Sequence, residues 1–204
     1  MLKKSIERCY LALIFLFLYL PIAVLIILSF NHSKSRVFWG GFTLKWYQEL
    51  FASSMIMNAF KTTIIVTILA SVIATLLGTM AAVGIHAMKK NNRAIMLGAT
   101  NIPLLNADIV TGISMMLIFV RFTSLGLHTV LIAHITFDIP YVILNVLPKL
   151  NQTSKSTYEA ALDLGAKPVY AFFKIIWPQI SPGVLSGFLM SVTMSLDDFS
   201  ITYF

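Results

Sequence analysis

The chain has 204 residues, of which 58% are hydrophobic and 11% charged, and its mean hydropathy is +0.85. Soluble domains carry about 25% charged residues, so this composition argues against a soluble protein and indicates one that lies in a membrane. Fifteen Lys and Arg residues against eight acids give a net charge of +7. In a membrane protein such an excess reflects topology and lipid headgroups, and nucleic-acid binding is not expected.

Five apolar segments are long enough to cross a bilayer, because a helix needs about 20 apolar residues to span its hydrocarbon core. They cover residues 9–30, 58–85, 95–120, 126–148 and 183–204. The sequence therefore predicts an all-α polytopic membrane protein with five transmembrane helices. Because the chain stops at DDFSITYF, on the apolar side of the last segment, we expect either a natural five-span protein or a missing sixth helix.

The polar segment at 31–57 contains a short amphipathic pattern, FTLKWYQELF at 42–51. Its apolar residues recur at mostly helical spacing and are Leu44, Trp46, Tyr47, Leu50 and Phe51. Aromatic residues on such a helix anchor it at the membrane interface, so we predict an interfacial helix here. The chain then divides into an N-terminal transmembrane helix at 1–30, this extracytoplasmic segment, and a transmembrane core at 58–204.

The distribution of Lys and Arg favours one orientation in the membrane. If the N-terminus is cytoplasmic, ten of the fifteen basic residues fall in cytoplasmic segments. The bias is sharpest in the turn after the second span, which contains Lys89, Lys90 and Arg93. Because short cytoplasmic loops are enriched in basic residues, we predict a multi-pass protein of the cytoplasmic membrane with its N-terminus inside.

The stretch TYEAALDLGAKPVYAFFKIIWPQISPG, between the fourth and fifth spans, has the pattern of a charged helix-turn-helix. Ser156 and Glu159 have the S-x-x-E spacing of a capping box, which predicts the start of a helix. Gly165 can take the left-handed conformation that ends a helix, and Pro168 can open the next one. The sequence therefore predicts a charged hairpin on the cytoplasmic side.

Small side chains on this hairpin favour a docking role. Ala160 and Ala161 would let a partner approach the helix backbone closely, and Pro178 and Pro182 are expected to break the chain before the last span. A stiff hairpin between two spans can transmit a rigid-body push from a cytosolic protein. From the spacing alone, an ordinary helical loop remains the alternative.

Half of the eight acids lie within or near the ends of apolar segments: Asp108, Asp138, Asp197 and Asp198. An acid at the centre of a transmembrane helix costs about 2.5–3.5 kcal/mol and usually faces a pathway or a partner. No Lys or Arg lies deep in a predicted span to pair with these acids. Carboxylates without internal cationic partners favour a cationic guest.

We assign three of these acids to a substrate pathway. Asp108 lies with Asn106 in a polar stretch interrupted by a proline, and such a stretch normally lines a cavity. Asp197 and Asp198 come near the end of the last span, where hydration at the outer interface is the alternative. Tyr203 is a candidate for cation–π contact with the guest.

The fourth acid, Asp138, lies one helical turn after His134, and we expect a structural contact between the two. No second His or Cys stands at ligand spacing, so no metal site is predicted. Gly183 and Gly187 form a G-x-x-x-G pair, which we expect to pack helices within the chain. No spacing of Ser, Thr and His assigns a nucleophile and a base, so the chain is not expected to be an enzyme.

The stretch EAALDLGAKPVYAFFKIIWP resembles the EAA loop of ABC-importer permeases, in which E-A-A is followed at fixed spacing by G, I and L-P. The matching positions are Glu159, Ala160, Ala161, Gly165, Ile175 and Pro178, with Trp177 in place of the leucine. The resemblance implies a MetI-like permease fold and a coupling loop at 154–180 that docks on a separate ATPase. Because the chain has no G-x-x-x-x-G-K-[ST] phosphate loop, ATP and Mg would be bound by that ATPase, and no cofactor by this chain.

Two further stretches, SLDDFSITYF at 195–204 and FTLKWYQELF at 42–51, resemble the permease subunit of spermidine/putrescine importers. This likeness implies polyamine import by alternating access. The partners it implies are two ATPase copies, a second permease subunit and an extracytoplasmic solute-binding protein. Permeases of that branch normally have six spans, so this chain would lack the last one.

Three alternatives remain open from the sequence. The chain could belong to an ABC importer for another small solute, such as an anion, a sugar or a metal chelate. It could be a secondary carrier that uses its membrane carboxylates to couple transport to a proton or sodium gradient. It could also be a truncated remnant that does not transport.

Overall fold

The computed structural model describes residues 2–35 and 37–203, and within them the chain is helical apart from turns and connecting segments. The helices are α1 (Leu2–Ser29), α2 (Lys45–Ala52), α3 (Ser54–Ala87), α4 (Lys90–Leu105), α5 (Asp108–Phe122), α6 (Leu127–Gln152), α7 (Lys155–Asp163), α8 (Pro168–Ala171), α9 (Trp177–Asp197) and α10 (Ser200–Tyr203). A π-helical turn at Phe172–Ile176 joins α8 to α9. The predicted all-α architecture is confirmed.

Four helical stretches are long and apolar enough to cross a membrane: Tyr10–Ser29, Ser54–Ala87, Leu127–Gln152 and Pro168–Asp197. The last of them joins α8, the π-helical turn and α9. Helices α4 and α5 meet the same criterion only as a pair, bent by 105° at the break between them. The described residues therefore contain four candidate spans, or five if the bent pair is one span, as expected for a polytopic membrane protein.

The third predicted span, at 95–120, is not one straight helix. Pro103 lies inside α4, and the break comes at Asn106 and Ala107, which have extended backbone conformations. Asp108 then opens α5, where a carboxylate is favoured by the positive end of the helix dipole. The span is therefore interrupted just after the proline, where polar residues replace the apolar run.

The last span also differs from the prediction at 183–204. It includes α8 and α9 without interruption, because Pro178 and Pro182 are accommodated inside the helix. Pro182 has no N–H to donate to the carbonyl of Pro178, and the Ser181 hydroxyl donates to that carbonyl instead, at 3.0 Å. A neighbouring hydroxyl thus satisfies the backbone group that the proline leaves unpaired.

The chain forms two compact units, one up to residue 61 and one from residue 62. In the first unit, the Asn31 side chain folds the segment after α1 into a closed loop. Its Nδ2 donates to the carbonyls of Ser35 and Phe38, and its Oδ1 accepts the N–H of Gly40. The Trp46 indole donates to the Asn31 carbonyl at 2.8 Å. The amphipathic helix predicted in this segment is confirmed as α2.

In the second unit, α6 and α9 pack closely in antiparallel directions, and glycines set their separation. A Cβ added at Gly183 would lie 2.8 Å from the Asn145 carbonyl oxygen, and one at Gly187 would lie 3.2 Å from the Cα of Val142. Gly78 of α3 also faces Val142. The prediction that the G-x-x-x-G pair packs helices within the chain is confirmed, and α6 contributes most of the buried core between its neighbours.

The α6–α9 contact predicts opposite effects for two Gly→Ala substitutions. In Gly183→Ala the new methyl group would press on a backbone oxygen, and such overpacking costs about 1–3 kcal/mol. Gly84 lies on α3 with no atom within 4 Å of an added Cβ, so Gly84→Ala is expected to be stabilising by roughly 0.5–1 kcal/mol. Thermal unfolding in detergent micelles measures both variants, and equal unfolding temperatures would contradict the packing described here.

Candidate functional site

The charged hairpin, α7 with α8, is built around a Schellman motif at the end of α7. The N–H of Ala166 donates to the carbonyl of Ala161 at 3.0 Å, and the N–H of Gly165 donates to that of Leu162 at 2.9 Å. Gly165 has a φ of +86°, a conformation that residues with a Cβ rarely adopt. Pro168 opens α8. The predicted glycine turn and proline helix start are both confirmed.

The capping box predicted at the start of the hairpin is wrong. Helix α7 begins at Lys155 after the N-cap Ser154, and no side chain among the described residues caps it. The Ser154 hydroxyl is hydrogen-bonded to the Ser156 hydroxyl at 2.7 Å. Because Ser156 already lies inside the helix, it cannot cap it, and Glu159 is left exposed.

The hairpin residues singled out by the sequence lie at or near the surface. Glu159, Ala160, Gly165 and Pro178 are exposed, whereas Ala161 and Ile175 are half-buried. Glu159 also lines a cavity of about 330 Å³ between the hairpin and the ends of α3 and α6, together with His86 and Thr153. The hairpin therefore presents small side chains and a carboxylate on an exposed surface.

Two side-chain hydrogen bonds, called the ladder below, connect α6 and α9 across the contact between these helices, called the seam. They lie near the end of α9 that is farthest from the hairpin. The Ser195 hydroxyl is hydrogen-bonded to His134 Nδ1 at 3.0 Å, and the Ser191 hydroxyl donates to Asp138 Oδ2 at 2.7 Å. All four side chains are buried. The two rungs are one helical turn apart, because the paired residues are separated by four positions on each helix.

Asp198 lies just beyond this ladder, immediately after α9. Its Oδ2 accepts the N–H of Ile201 at 2.9 Å and lies 3.9 Å from His134 Nε2. Its side chain is only 4% exposed. Together with Thr67 and Ser195 it lines a cavity of about 260 Å³ between α3, α6 and α9. One of the predicted pathway acids thus faces a cavity between the helices.

Two further acids lie near enough to Asp198 to interact with it electrostatically. Asp108 is exposed at the start of α5, and α5 packs on α10, where a Cβ added at Gly112 would lie 3.1 Å from the Ser200 carbonyl oxygen. Asp138 interacts with it from α6. The fold therefore places Asp138 and Asp198 near the same end of the α6–α9 contact, with the exposed Asp108 on the neighbouring helix α5.

The other predicted pathway residues lie at the surface. Asn106 follows the last residue of α4, Asp197 ends α9, and both side chains are exposed. Tyr203 is 68% exposed, and its ring stacks on that of Phe199 with centroids 5.1 Å apart. These three side chains are exposed, and they do not line the Asp198 cavity.

The contact predicted between His134 and Asp138 is wrong. Both side chains face α9, where each meets a different serine, Ser195 and Ser191 respectively. Sequence reasoning missed both serines. The signal was present, because small residues recur at every fourth position of α9 from Gly183 to Ser195, which marks the face that packs on α6.

The chemistry of this polar region suits a cation. It combines carboxylates with hydroxyl and imidazole groups that can accept hydrogen bonds from an ammonium group. Within residues 2–35 and 37–203, no cluster of three or more His, Cys, Asp or Glu side chains could hold a metal ion. A polytopic helical protein with an exposed charged hairpin and a cavity between its helices that an acid lines is the architecture expected of a membrane transport component.

Comparison with known proteins identifies that class. Residues 1–204 match the family described as binding-protein-dependent transport system inner membrane component. The chain belongs to this family, so it is a multi-pass transport subunit and not an enzyme. The EAA pattern in the hairpin is typical of the family.

Named relatives cover almost the whole chain. It is 38% identical over 201 residues to the putrescine transport system permease protein PotI of Escherichia coli K12, covering 93% of this chain and 70% of PotI. It is 33% identical over 205 residues to the spermidine/putrescine transport system permease protein PotC of Haemophilus influenzae, covering 100% of this chain and 80% of PotC. A PotC homolog of Mycoplasma genitalium is 30% identical over 217 residues, which include 98% of this chain and 75% of that protein.

The buried ladder predicts different costs for two histidine substitutions in α6. His134→Leu would remove the imidazole partner of the Ser195 hydroxyl and leave that buried group with only a 3.5 Å contact to Thr67 Oγ1, which costs about 1–3 kcal/mol. His128→Leu is the matched control, because His128 is exposed and such surface changes usually stay within about 0.5 kcal/mol. Thermal unfolding in detergent checks both, and an unfolding temperature for His134→Leu that equals the control would contradict the ladder.

Proposed function

We propose that this chain is the permease subunit of an ATP-driven importer of polyamines such as putrescine and spermidine. The observation that carries the proposal is the pair of acids with buried side chains at the α6–α9 contact, Asp198 in its cavity and Asp138 farther along α6, in a chain whose named relatives are putrescine and spermidine/putrescine permeases. Polyamines are flexible chains that bear several ammonium groups. Among the described residues no Lys or Arg forms an ion pair with these acids, and such carboxylates are suited to attract polyamines.

The exposed hairpin is proposed as the point where ATP-driven motion enters the membrane. Glu159, Ala160 and Gly165 lie on its accessible surface, and its second half continues without interruption through the π-helical turn into α9. A displacement of the hairpin by an ATPase would therefore move α9 as well. On this proposal the N-terminus and hairpin are cytoplasmic, and ATP and Mg are bound by the partner ATPase.

The proposed assembly contains two ATPase copies, a second permease subunit and an extracytoplasmic solute-binding protein. The chain is proposed to have the domains predicted from its sequence, with the coupling loop at 154–180 inside the transmembrane core at 58–204. Cargo released by the binding protein would meet Asp197 and Tyr203 at the surface and pass to Asp198 and Asp108. Asn106, next to Asp108, would contribute a neutral hydrogen-bonding group.

Uptake by the reconstituted importer tests the function. The chain is purified with its ATPase, second permease and binding protein and placed in proteoliposomes. We expect uptake of radiolabelled putrescine or spermidine that requires ATP and persists when proton and sodium gradients are dissipated. ATP-driven uptake of another solute, with neither polyamine transported, would assign a different cargo. Uptake that needs an ion gradient and no ATP would identify a secondary carrier.

A charge reversal on the hairpin tests ATPase docking. Glu159→Lys places a cation where the proposed interface has a carboxylate, and we expect about a tenfold loss of co-purified ATPase, a change equivalent to about 1.4 kcal/mol of binding. Glu49→Lys makes the same change on α2 and is expected to leave co-purification unchanged. Membrane insertion of both variants is checked by their yield. Normal assembly and uptake with Glu159→Lys would rule out this docking role.

The glycine turn provides an independent test of the hairpin. Gly165→Val must adopt a positive φ that a β-branched residue strongly resists, so we expect a distorted turn and loss of ATP-driven uptake. Gly165→Asn is the matched control, since asparagine tolerates this conformation better, and we expect it to retain most activity. Uptake rates and ATPase co-purification are measured for both variants. Full activity of Gly165→Val would show that the turn is not needed.

A further inference from the structure

Asp138 is a fully buried acid whose bonding is incomplete. It is 0% exposed, and its Oδ2 accepts one hydrogen bond, from Ser191. Its Oδ1 has no hydrogen-bond partner among the described residues. A buried polar atom without a partner is costly, and more so when it belongs to a charged group. The packing of the seam therefore does not explain why an acid stands at this position.

A second unpaired polar atom lies in the same layer of the helices. Ser71 Oγ of α3 is buried and has no partner in the part of the chain that the structure describes. Thr67, one turn earlier on α3, lies 3.5 Å from Ser195, and Gly78, later on α3, faces Val142 of α6. The alignment of α3 with α6 and α9 therefore puts Ser71 at about the level of Asp138. Ser71 Oγ and Asp138 Oδ1, which can both accept a hydrogen bond, are thus unpaired in the same layer.

This layer is one helical turn from the Asp198 cavity. His134, which borders that cavity, precedes Asp138 by four residues, and four residues of helix rise about 6 Å. The step from Asp198 to Asp138 runs towards the hairpin end of α9. An extended four-carbon diamine separates its two nitrogens by about 6 Å, which is close to this helical rise.

We propose that Asp138, with Ser71, is an inner binding site for an ammonium group of the cargo, one helical turn beyond Asp198. The inference rests on the polyamine import proposed above. In the present conformation Ser191 covers Asp138, and the site is closed. Because Ser191 is on α9, which is continuous with the hairpin, a displacement of the hairpin would separate Ser191 from Asp138 and admit the cargo. Asp138 is thus a specificity-determining residue for cargo with two or more ammonium groups.

Binding to the assembled importer without its binding protein, measured with and without a non-hydrolysable ATP analogue that holds the hairpin in its displaced position, tests this site. Putrescine is compared with 1-aminobutane, which has the same carbon chain and a single ammonium group. Asp138→Asn keeps the size of the side chain and an acceptor for Ser191 but removes the charge. We expect it to weaken putrescine binding about tenfold and to leave 1-aminobutane binding within about twofold. Equal changes for the two amines, or no change, would overturn the inference.

Transport by the complete importer gives the second measurement. We expect Asp138→Asn to slow ATP-driven putrescine uptake about tenfold while ATP hydrolysis stimulated by the binding protein persists. Ser186→Ala removes a different hydrogen bond between α9 and α6, from the Ser186 hydroxyl to Asn145 Oδ1 at 2.9 Å, and is expected to keep uptake within about twofold. Equal loss in both variants would mean that Asp138 only packs the seam, and an altered pH profile with an unchanged maximal rate would mean that it binds a proton.

Controls distinguish a failure of the inner site from misfolding of a variant and from a failure of the proposed polyamine import. Thermal unfolding identifies a variant that fails to fold, and Asp138→Glu, which keeps the charge, is expected to restore part of the preference for putrescine over 1-aminobutane. If Asp138→Glu behaves like Asp138→Asn, the carboxylate is not what the cargo recognises and the inference fails. If the unmodified importer takes up neither putrescine nor spermidine, the polyamine function itself fails. Normal uptake that is insensitive to Asp138→Asn overturns only the inner site.

Discussion

The close contact between α6 and α9 is the constraint on which the rest of the second unit depends. Gly183 and Gly187 let the two backbones approach until a Cβ at either position would press on α6. At that separation the short hydroxyl side chains of Ser191 and Ser195 reach Asp138 and His134 directly. Larger residues on this face of α9 would push the helices apart and leave the polar groups of α6 unpaired in an apolar environment.

The same contact connects the two ends of the proposed machinery. Because α8, the π-helical turn and α9 form one continuous stretch, the hairpin and Asp198 lie at opposite ends of a single helical element. The five-residue π-helical turn at the hairpin end is a local departure from α-helical geometry of a kind that often occurs at functional sites. On the proposed function, α9 would move as a unit against α6, along the seam that its small residues keep narrow.

Much of this architecture could be predicted from the sequence, and the errors have physical causes. Apolar length identified the spans, and the glycine and proline of the hairpin specified its turn, because these signals depend on local backbone geometry. The proline breaks were wrong because Ser181 satisfies the carbonyl that Pro182 leaves free, which only the folded helix reveals. The expected His134–Asp138 contact was wrong because i, i+4 spacing puts two residues on one face without deciding whether they meet each other or a neighbouring helix.

The polar ladder is difficult to explain by stability alone. Buried ionisable groups can often be replaced by well-packed apolar residues at little cost or with a gain in stability, and the seam already has an apolar continuation at Val142 and Ile180. An apolar residue at position 138 would also remove the unpaired Oδ1 atom. Asp138 is buried, incompletely bonded and one turn from the cavity that Asp198 lines. A cation that it binds in another conformation therefore explains it better than the packing seen in this one.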